Sequence, residues 1–244
     1  MITRIFLAGA SGAIGRRLAP LLLQNGWRVF GSTRFADKAA GLENAGVQPV
    51  VVDVFDSEAL SRHLAAIRPD VVIHQLTDLP YALEASQMTA ALARNASLRD
   101  AGTRNLVDAA VHAGASRFIA QSISFIYDEG PKPHRETDRL LPVTHPVYGR
   151  TVQGVLSLER HVTTAPLAGL VLRYGLLYGP ATGFDAPIAP GSVHVDAAAK
   201  AAELAVTRGE PGIYNVAEPD GETLSAKAIQ SFGWYPAWRP GAAA

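Results

Sequence analysis

Three glycines near the start of the chain constrain the fold more than any other feature of the sequence. Gly9, Gly12 and Gly15 follow the apolar run at residues 5–8, and an amphipathic stretch comes directly after them. Gly9 permits a tight turn, Gly12 leaves room for a phosphate, and Gly15 allows a helix to lie close to the preceding strand. The pattern predicts a strand, a turn and a helix whose first N–H groups face a pyrophosphate. The opening segment therefore indicates a dinucleotide-binding fold.

The composition excludes several classes of function. The chain has 22 basic and 22 acidic side chains, so no net charge favours nucleic acid or an anionic membrane surface. It has no cysteine, which excludes disulfides, thiolate catalysis and cysteine-ligated zinc, and we expect no metal site. No signal-peptide pattern opens the sequence, and no apolar stretch approaches the ~20 residues of a membrane-spanning helix. We expect a cytoplasmic protein that acts on a small-molecule substrate, without a nucleic-acid or membrane partner.

Short apolar segments alternate with amphipathic ones along the chain. The predicted strands are 5–8, 27–33, 48–52, 71–74, 117–121, 170–174 and 213–216, and the predicted helices are 13–24, 57–67, 95–114, 148–162 and 197–207. This alternation predicts an α/β fold, a Rossmann-type doubly wound parallel sheet with helices on both faces. We expect one domain over residues 1–244, in which residues from about 175 onward form a reduced C-terminal substrate-binding region.

Several short motifs follow one another in an order that is typical of a known family. Ser122-Ile123-Ser124 ends the fifth predicted strand, and Tyr148 opens a later helix. The segments L-Y-G-P at 177–180, V-H-V-D at 193–196 and Y-N-V at 214–216 come next. Together with the glycine turn, these motifs resemble the NAD(P)-dependent epimerase/dehydratase-like family, of the atypical and extended short-chain dehydrogenase/reductase superfamily. The resemblance implies the same Rossmann-type fold and a nicotinamide dinucleotide cofactor.

The end of the second predicted strand indicates which dinucleotide is favoured. Ser32, Thr33 and Arg34 stand where NAD-dependent proteins commonly place Asp or Glu for the ribose 2′-hydroxyl. An arginine and two hydroxyls suit a 2′-phosphate, so NADP(H) is favoured over NAD(H), and Arg16 could reach the same phosphate. The alternative is that Arg34 is an ordinary exposed loop residue.

The resemblance also implies a set of cofactor contacts around the predicted strand ends. In the family an Asp at the position of Asp53 accepts a hydrogen bond from the adenine amino group. The residues that we expect to contact the cofactor are Gly9, Ser11, Gly12, Ala13, Ile14, Gly15, Arg16, Thr33, Arg34, Asp53, Val54, Leu76, Thr77, Gln121 and Tyr174. By contrast, His74 lies within an apolar run, and we expect a packed histidine there.

The expected catalytic groups depart from the family pattern at one position. The resemblance implies that Ser122 orients the substrate oxygen and that Tyr148 transfers its proton, with Ser124 as a competing candidate for the serine. The family has a lysine four residues after the tyrosine, which lowers the tyrosine pKa, but Val152 stands there in this chain. Arg150 projects roughly 200° around the helix from Tyr148 and cannot simply substitute.

Three functions remain compatible with this departure. The first is an NADP(H)-dependent reductase in which Tyr148 acts as a neutral acid with Ser122. The second is an epimerase-like enzyme that uses other groups, and the third is a non-catalytic NADP(H)-binding protein, such as a redox sensor or partner protein. Only residues 181–192 separate the L-Y-G-P and V-H-V-D segments, which favours a small carbonyl or hydroxyl substrate. The resemblance also implies that the helices at 95–114 and 148–162 would supply the surface of a homodimer.

Overall fold

The structure is a computed structural model that describes residues 3–241. The strands are β1 Arg4–Ala8, β2 Arg28–Thr33, β3 Gln48–Val51, β4 Val71–His74, β5 Arg117–Ile123, β6 Ala168–Tyr174, β7 Leu176–Tyr178, β8 Ser192–His194 and β9 Gly212–Val216. The helices are α1 Ala13–Gln24, α2 Ala39–Asn44, α3 Ser57–Ile67, α4 Ala85–Ser97, α5 Thr103–His112, α6 Gly149–Thr164, α7 Val195–Leu204 and α8 Ala226–Phe232.

Seven strands form one parallel sheet in the order β3-β2-β1-β4-β5-β6-β9. The strand order reverses beside β1, which pairs with β2 on one side and with β4 on the other. Ligands of doubly wound sheets bind at such a switch point, outside the carboxyl ends of the strands. The sequence prediction of a Rossmann-type, doubly wound parallel sheet is confirmed.

Apolar side chains cover both faces of the sheet. One face packs against α1, α2 and α7 through a cluster that includes Ile5, Leu18 and Leu172. The other face packs against α3, α5 and α6 through Phe6, Leu64 and Phe118. Because successive residues of a strand point to opposite faces, the buried strands read as continuous apolar runs. Because helices cover both faces of the sheet, a ligand can reach it at the carboxyl ends of the strands.

The helix predicted at 95–114 is longer than the sequence pattern indicated. It begins at Ala85 with α4 and continues through a π-helical turn, Leu98–Gly102, into α5. π-turns inside helices are rare and occur frequently at functional sites. Gly102 lies within this turn, where an added Cβ would come 2.9 Å from Leu98 Cδ1 and 3.1 Å from Val54 Cγ1.

The C-terminal part of the chain adds a small layer to the sheet. Strands β7 and β8 form a separate two-stranded parallel sheet, and α8 packs near the edge strand β9. Trp234 is buried, and its indole N–H donates to the Ala197 carbonyl at 2.8 Å. Within residues 3–241, no helix combines the length and the apolar character that crossing a bilayer requires.

Candidate cofactor and active site

A cavity of about 630 Å³ opens at the carboxyl ends of the strands, beside the switch point. Thirteen of the residues predicted as cofactor contacts line it: Gly9, Ser11, Gly12, Ala13, Arg16, Thr33, Arg34, Asp53, Val54, Leu76, Thr77, Gln121 and Tyr174. The other two, Ile14 and Gly15, do not line the cavity, because they pack α1 against the sheet. The structure therefore brings the predicted set to one edge of the sheet, and contact with a cofactor stays a prediction for each residue.

The glycine turn has the shape that a dinucleotide requires. Gly9 has a φ of +86°, and an added Cβ would lie 2.7 Å from the Gln75 carbonyl oxygen. A Cβ at Gly15 would lie 2.2 Å from the Gly9 carbonyl oxygen, so the helix can approach the strand only without a side chain there. The close approach that these glycines allow fits the pyrophosphate of a nicotinamide dinucleotide.

The N-terminus of α1 points toward the same cavity. Gly12 is the N-cap residue, and the first helical hydrogen bond runs from Arg16 N to Gly12 O at 3.0 Å. Helix geometry leaves the N–H groups of the first turn outside the helical ladder, where they can bind an anion. The Arg16 guanidinium donates from Nε to the Ser11 carbonyl at 2.8 Å, which holds this cation beside the turn.

The cavity is cationic beside the end of β2. Arg34 and Lys38 both lie over the ring of Phe35, at 4.9 Å and 4.6 Å from its centroid. Asp78 forms long ion pairs with Arg34 at 3.4 Å and with Arg94 at 3.3 Å. The sequence reasoning missed Phe35, Lys38 and Asp78; a lysine four residues after Arg34 was the available signal for Lys38.

Asp53 and Val54, which follow β3, form part of the cavity wall together with Leu76, which follows β4. The Asp53 carboxylate accepts a hydrogen bond from the Phe55 N–H at 2.9 Å, and it also faces the cavity. The helix that follows is capped instead by Asp56, whose side chain accepts from the Ala59 N–H at 2.9 Å. Val54 and Leu76 add apolar surface to this wall, which suits a flat aromatic base.

Neutral polar groups line the cavity beside β4, β5 and β6. Gln75, Gln121 and Tyr174 face it from the three strand ends. Burial raises the pKa of Tyr174, and its hydroxyl accepts from Gln75 Nε2 at the long distance of 3.5 Å. Gln75 Oε1 is buried and has no hydrogen-bond partner within residues 3–241. Such a polar atom needs a partner, and an amide N–H or hydroxyl of a bound ligand would satisfy it.

Ser122 lies on the opposite side of β5 from the cavity. Its neighbours Gln121 and Ile123 line the cavity, so the alternation of the strand turns Ser122 toward α6. The Ser122 hydroxyl is fully buried and donates to Glu159 Oε1 at 2.9 Å. The expected position of Ser122 beside the substrate is therefore not what the structure has. Ser124, the competing candidate, is also buried, and it does not line the cavity either.

Glu159 is the centre of a buried polar network on that side of the sheet. Arg173 donates to both of its carboxylate oxygens, at 2.8 Å and 2.7 Å. Arg173 also donates to the hydroxyl of Tyr127 at 2.9 Å, and Tyr127 in turn donates to Asn215 at 2.7 Å. Since each charge has its partner, the network is a structural one that joins α6 to β6 and β9.

Tyr148 is half-exposed and lies outside the residues that line the cavity. Its ring is tilted against His145, with 5.4 Å between centroids. Val152, where the family has lysine, is fully buried in an apolar cluster with Ile123, Ile126 and Val155. The space of the family lysine is therefore filled by packed methyl groups, and no cation reaches Tyr148 from this position.

His74 has the packed environment that the sequence predicted. Its Nε2 lies 3.0 Å from Thr103 Oγ1, and its Nδ1 accepts from the Leu76 N–H at 3.1 Å. Burial, together with the charge of Arg99, lowers the pKa of His74 to about 4. Among residues 3–241 there is no group of three or more His, Cys, Asp or Glu side chains that could hold a metal ion.

The chain matches a family model over most of its length. The model, described as the NAD dependent epimerase/dehydratase family, covers residues 5–194. The chain therefore belongs to the NAD-dependent epimerase/dehydratase family, as the order of its motifs predicted.

Two kinds of relative are similar in sequence. The 3-diazoavenalumate denitrifying reductase of a Streptomyces species is 43% identical over 183 residues, which are 74% of this chain and 58% of that protein. The methionine adenosyltransferase 2 subunit beta of Pongo abelii is 28% identical over 176 residues, which are 72% of this chain and 47% of that protein. The chain thus matches about half the length of these relatives.

Solved structures share the fold at low sequence identity. A UDP-glucose 4-epimerase with UDP-glucose from Thermotoga maritima superposes with a TM-score of 0.77 at 20% identity, covering 96% of this chain and 94% of that one. The UDP-glucose 4-epimerase of Thermus thermophilus in complex with NAD has a TM-score of 0.70 at 24% identity, with coverages of 96% and 85%. The structural neighbours therefore support the Rossmann-type architecture.

Proposed function

We propose that this chain is an NADP(H)-dependent reductase of a small electrophilic compound. The observation that carries the proposal is the division of one cavity into an end beside β2, where several cations cluster, and an end beside β4, β5 and β6, which amide and hydroxyl side chains line. The glycine turn would hold the pyrophosphate, and the two ends would hold the two nucleoside halves of the cofactor. When bound, NADPH supplies a hydride, and the residues of this chain bind and orient the reactants.

The cationic end supports NADP(H) as the cofactor. Arg34 and Lys38 bring two positive charges beside Phe35, and Arg16 adds a third at the adjacent helix N-terminus. A 2′-phosphate would neutralise part of this charge, and it would compete with Asp78 for Arg34. The ion pair of Arg34 with Asp78 is long and partly exposed, so its loss would cost little.

The end of the cavity beside β4, β5 and β6, which we call the reaction end, favours reduction over epimerisation. Epimerisation through a ketone begins with removal of a hydroxyl proton, and a tyrosine with its ordinary pKa near 10 needs a nearby cation to act as that base. Val152 occupies the position at which the family has its cationic lysine, and Tyr148 is half-exposed and does not line the cavity. Reduction needs a hydride and at most a weak proton donor. Tyr174, kept neutral by burial, can donate a hydrogen bond to an oxygen or nitrogen of the bound reactants.

The similarity to the Streptomyces protein supports the same choice, because that relative is named a denitrifying reductase of a diazo compound. A cationic electrophile becomes neutral when it accepts hydride, so its reduction requires no acid, whereas a neutral carbonyl becomes an alkoxide that must then take up a proton. Diazo compounds therefore belong in a substrate screen beside small aldehydes and ketones.

The first experiment measures cofactor binding. We expect NADPH to bind at about micromolar concentration and NADH more weakly, in fluorescence titrations of the purified protein. Arg34→Asp should weaken NADPH about tenfold while changing NADH less than about twofold. Arg28→Asp is the matched control, because Arg28 lies at the opposite end of β2. Equal weakening of both cofactors by Arg34→Asp would remove the 2′-phosphate role of Arg34.

The second experiment measures turnover. NADPH oxidation should be followed with aldehydes, ketones and diazo compounds, and Tyr148→Phe should retain activity within about threefold if no tyrosine proton relay operates. A loss of about 100-fold in kcat for Tyr148→Phe would instead restore Tyr148 to the mechanism.

A second candidate is a non-catalytic NADP(H)-binding protein that acts through a partner. The apolar packing at Val152 favours it, as does the similarity to a protein named as a subunit of methionine adenosyltransferase 2. Tight NADPH binding without oxidation by any compound of the screen would select this candidate over the reductase.

A further inference from the structure

Arg99 is a buried cation that the cofactor assignments do not use. It belongs to the π-helical turn Leu98–Gly102, and the residue is only 7% exposed. What remains accessible faces the cavity, which Arg99 helps to line. Within the described part of the chain, residues 3–241, its side chain takes part in no hydrogen bond or ion pair. Buried arginines are ordinarily paired, so the missing anion requires an explanation.

Two acidic groups, one that acts on Arg99 and one that lines the same cavity, are already engaged by other side chains. Glu159 interacts electrostatically with Arg99, but its carboxylate is held by Arg173 and by the Ser122 hydroxyl. Asp78 pairs with Arg34 and Arg94 at the cavity rim. The positive charge of Arg99 is therefore left for something that enters the cavity.

Arg99 remains charged under ordinary conditions. Burial lowers its pKa to about 10, which still leaves the guanidinium protonated at neutral pH. A buried charge without an ion-pair partner reduces the stability of the folded protein. The nearby His74 is neutral and supplies no negative charge.

The position of Arg99 separates it from the cations at the end of β2. Its charge acts on His74 at the end of β4 and on Glu159 of α6, whereas Arg34 follows β2. Strand β1 lies between β2 and β4, so one strand of the sheet separates the strand end that Arg34 follows from the strand end on which Arg99 acts. The cavity therefore has a second cationic position beside the reaction end.

We propose that Arg99 binds the carboxylate of the substrate, an inference that rests on the proposed reductase function. A guanidinium matches a carboxylate through two parallel hydrogen bonds. The same cavity also has apolar lining, to which Leu98, Leu106 and Ile123 contribute. One cation in such surroundings balances the single charge of a carboxylate, whereas a phosphate dianion would remain under-compensated. The substrate class is thus a small compound with an electrophilic group at one end and a carboxylate at the other.

The first test separates a ligand-binding arginine from a structural one. Arg99→Met removes an unpaired buried charge, so the melting temperature of the ligand-free protein should rise by about 2–4 °C. Arg173→Met is the matched control, because it leaves Glu159 without its partner and should lower the melting temperature. If Arg99→Met destabilises the protein as Arg173→Met does, Arg99 is structural and the inference fails.

The second test measures binding of carboxylates. Acetate, benzoate and cinnamate, each beside its methyl ester, would be titrated by calorimetry into the protein with and without NADP⁺. We expect at least one carboxylate to bind below about 10 mM, its ester to bind at least about tenfold more weakly, and Arg99→Met to remove this preference. Arg99→Lys should keep part of it, since lysine retains the charge without the planar fork.

The outcomes distinguish this inference from the proposed function. NADPH affinity should stay within about twofold in Arg99→Met, because the cofactor cations lie beside β2. Absence of carboxylate binding at about 10 mM, or an unchanged preference in Arg99→Met, overturns the inference. A wild-type protein that binds carboxylates through Arg99 but never binds NADPH would support the anion site while refuting the reductase proposal.

Discussion

The two ends of the cavity retain the polar pattern of the family to different degrees. The nucleotide end is the cationic end beside β2, and the reaction end is the one beside β4, β5 and β6. At the nucleotide end, Gly9 and Gly15 allow the close approach of backbone to ligand, and Arg34 follows the adjacent strand. At the reaction end, Val152 packs with Ile123, and Ser122 donates to Glu159. One end has the backbone shape that a ligand requires, whereas at the other Ser122 is turned into the protein interior and Tyr148 is half-exposed outside the cavity.

This difference shows that the two ends are under different physical constraints. Gly15 is needed for α1 to pack on β1 at all, so a change there disturbs folding as well as binding. A lysine at position 152 would serve only chemistry, and replacing it with a buried valine adds apolar packing. The packing of α1 on β1 therefore depends on Gly15, whereas Val152 contributes apolar packing at the position where the family has lysine.

The largest effect is expected from the buried network behind the reaction end. Glu159→Ala leaves Arg173 buried without its anion and should lower the free energy of unfolding by about 3–5 kcal/mol, measured by urea denaturation. Glu43→Ala, on the short helix α2, is a control away from this network, and a change below about 0.5 kcal/mol is expected. A loss for Glu159→Ala of less than about 1 kcal/mol would contradict the structural role of the network.

The free energy of unfolding should fall at acid pH because of His74, which lies beside the reaction end. The pKa of His74 is about 4 in the folded protein and 6.5 in its unperturbed form. The unfolded chain therefore binds the proton first, so stability is complete above pH about 6.5 and falls as the pH drops toward 4, by up to about 3 kcal/mol. His74→Gln should remove most of this slope in unfolding measurements at a series of pH values. An unchanged slope would mean that His74 is accessible to protons in the folded state.

Gly15→Ala should break the nucleotide end. The new Cβ would lie 2.2 Å from the Gly9 carbonyl oxygen, so α1 must move from β1. We expect NADPH affinity to fall about 100-fold, equivalent to about 2.7 kcal/mol, in fluorescence titrations. Gly41→Ala is the matched control, because no atom lies within 4 Å of its added Cβ. Tight NADPH binding by Gly15→Ala would show that the cradle tolerates a side chain.

The smallest effect is expected from Ser122→Ala. It removes one hydrogen bond to Glu159 and should lower the free energy of unfolding by about 1 kcal/mol while leaving kcat and KM within about twofold. The measurement is steady-state kinetics beside thermal unfolding. A selective loss of kcat with unchanged stability would place Ser122 at the reacting atoms after all.

Much of the nucleotide end could be predicted from the sequence because its signals are local. The glycine spacing, the strand before it and the helix after it lie within a few residues of one another, and steric rules translate them directly into a turn. Arg34 and Asp53 follow predicted strands, and carboxyl ends of parallel strands must meet at one edge of the sheet. The fold class and the edge that carries the site follow from these patterns.

The arrangement of the reaction end could not be predicted from the sequence, because it depends on contacts between residues that are far apart in the chain. The side of β5 that Ser122 faces changes with a shift of one residue, and only the pairing of β5 with β4 and β6 decided it. Arg99 lies in a helix whose periodicity gave no sign of a π-turn, and its burial without a partner appears only when α6 and the sheet are in place. By itself the sequence determined the backbone of the nucleotide cradle, because steric rules act between near neighbours. Which side chains remain for chemistry was decided by tertiary packing, because burial and pairing are properties of residues far apart in the chain.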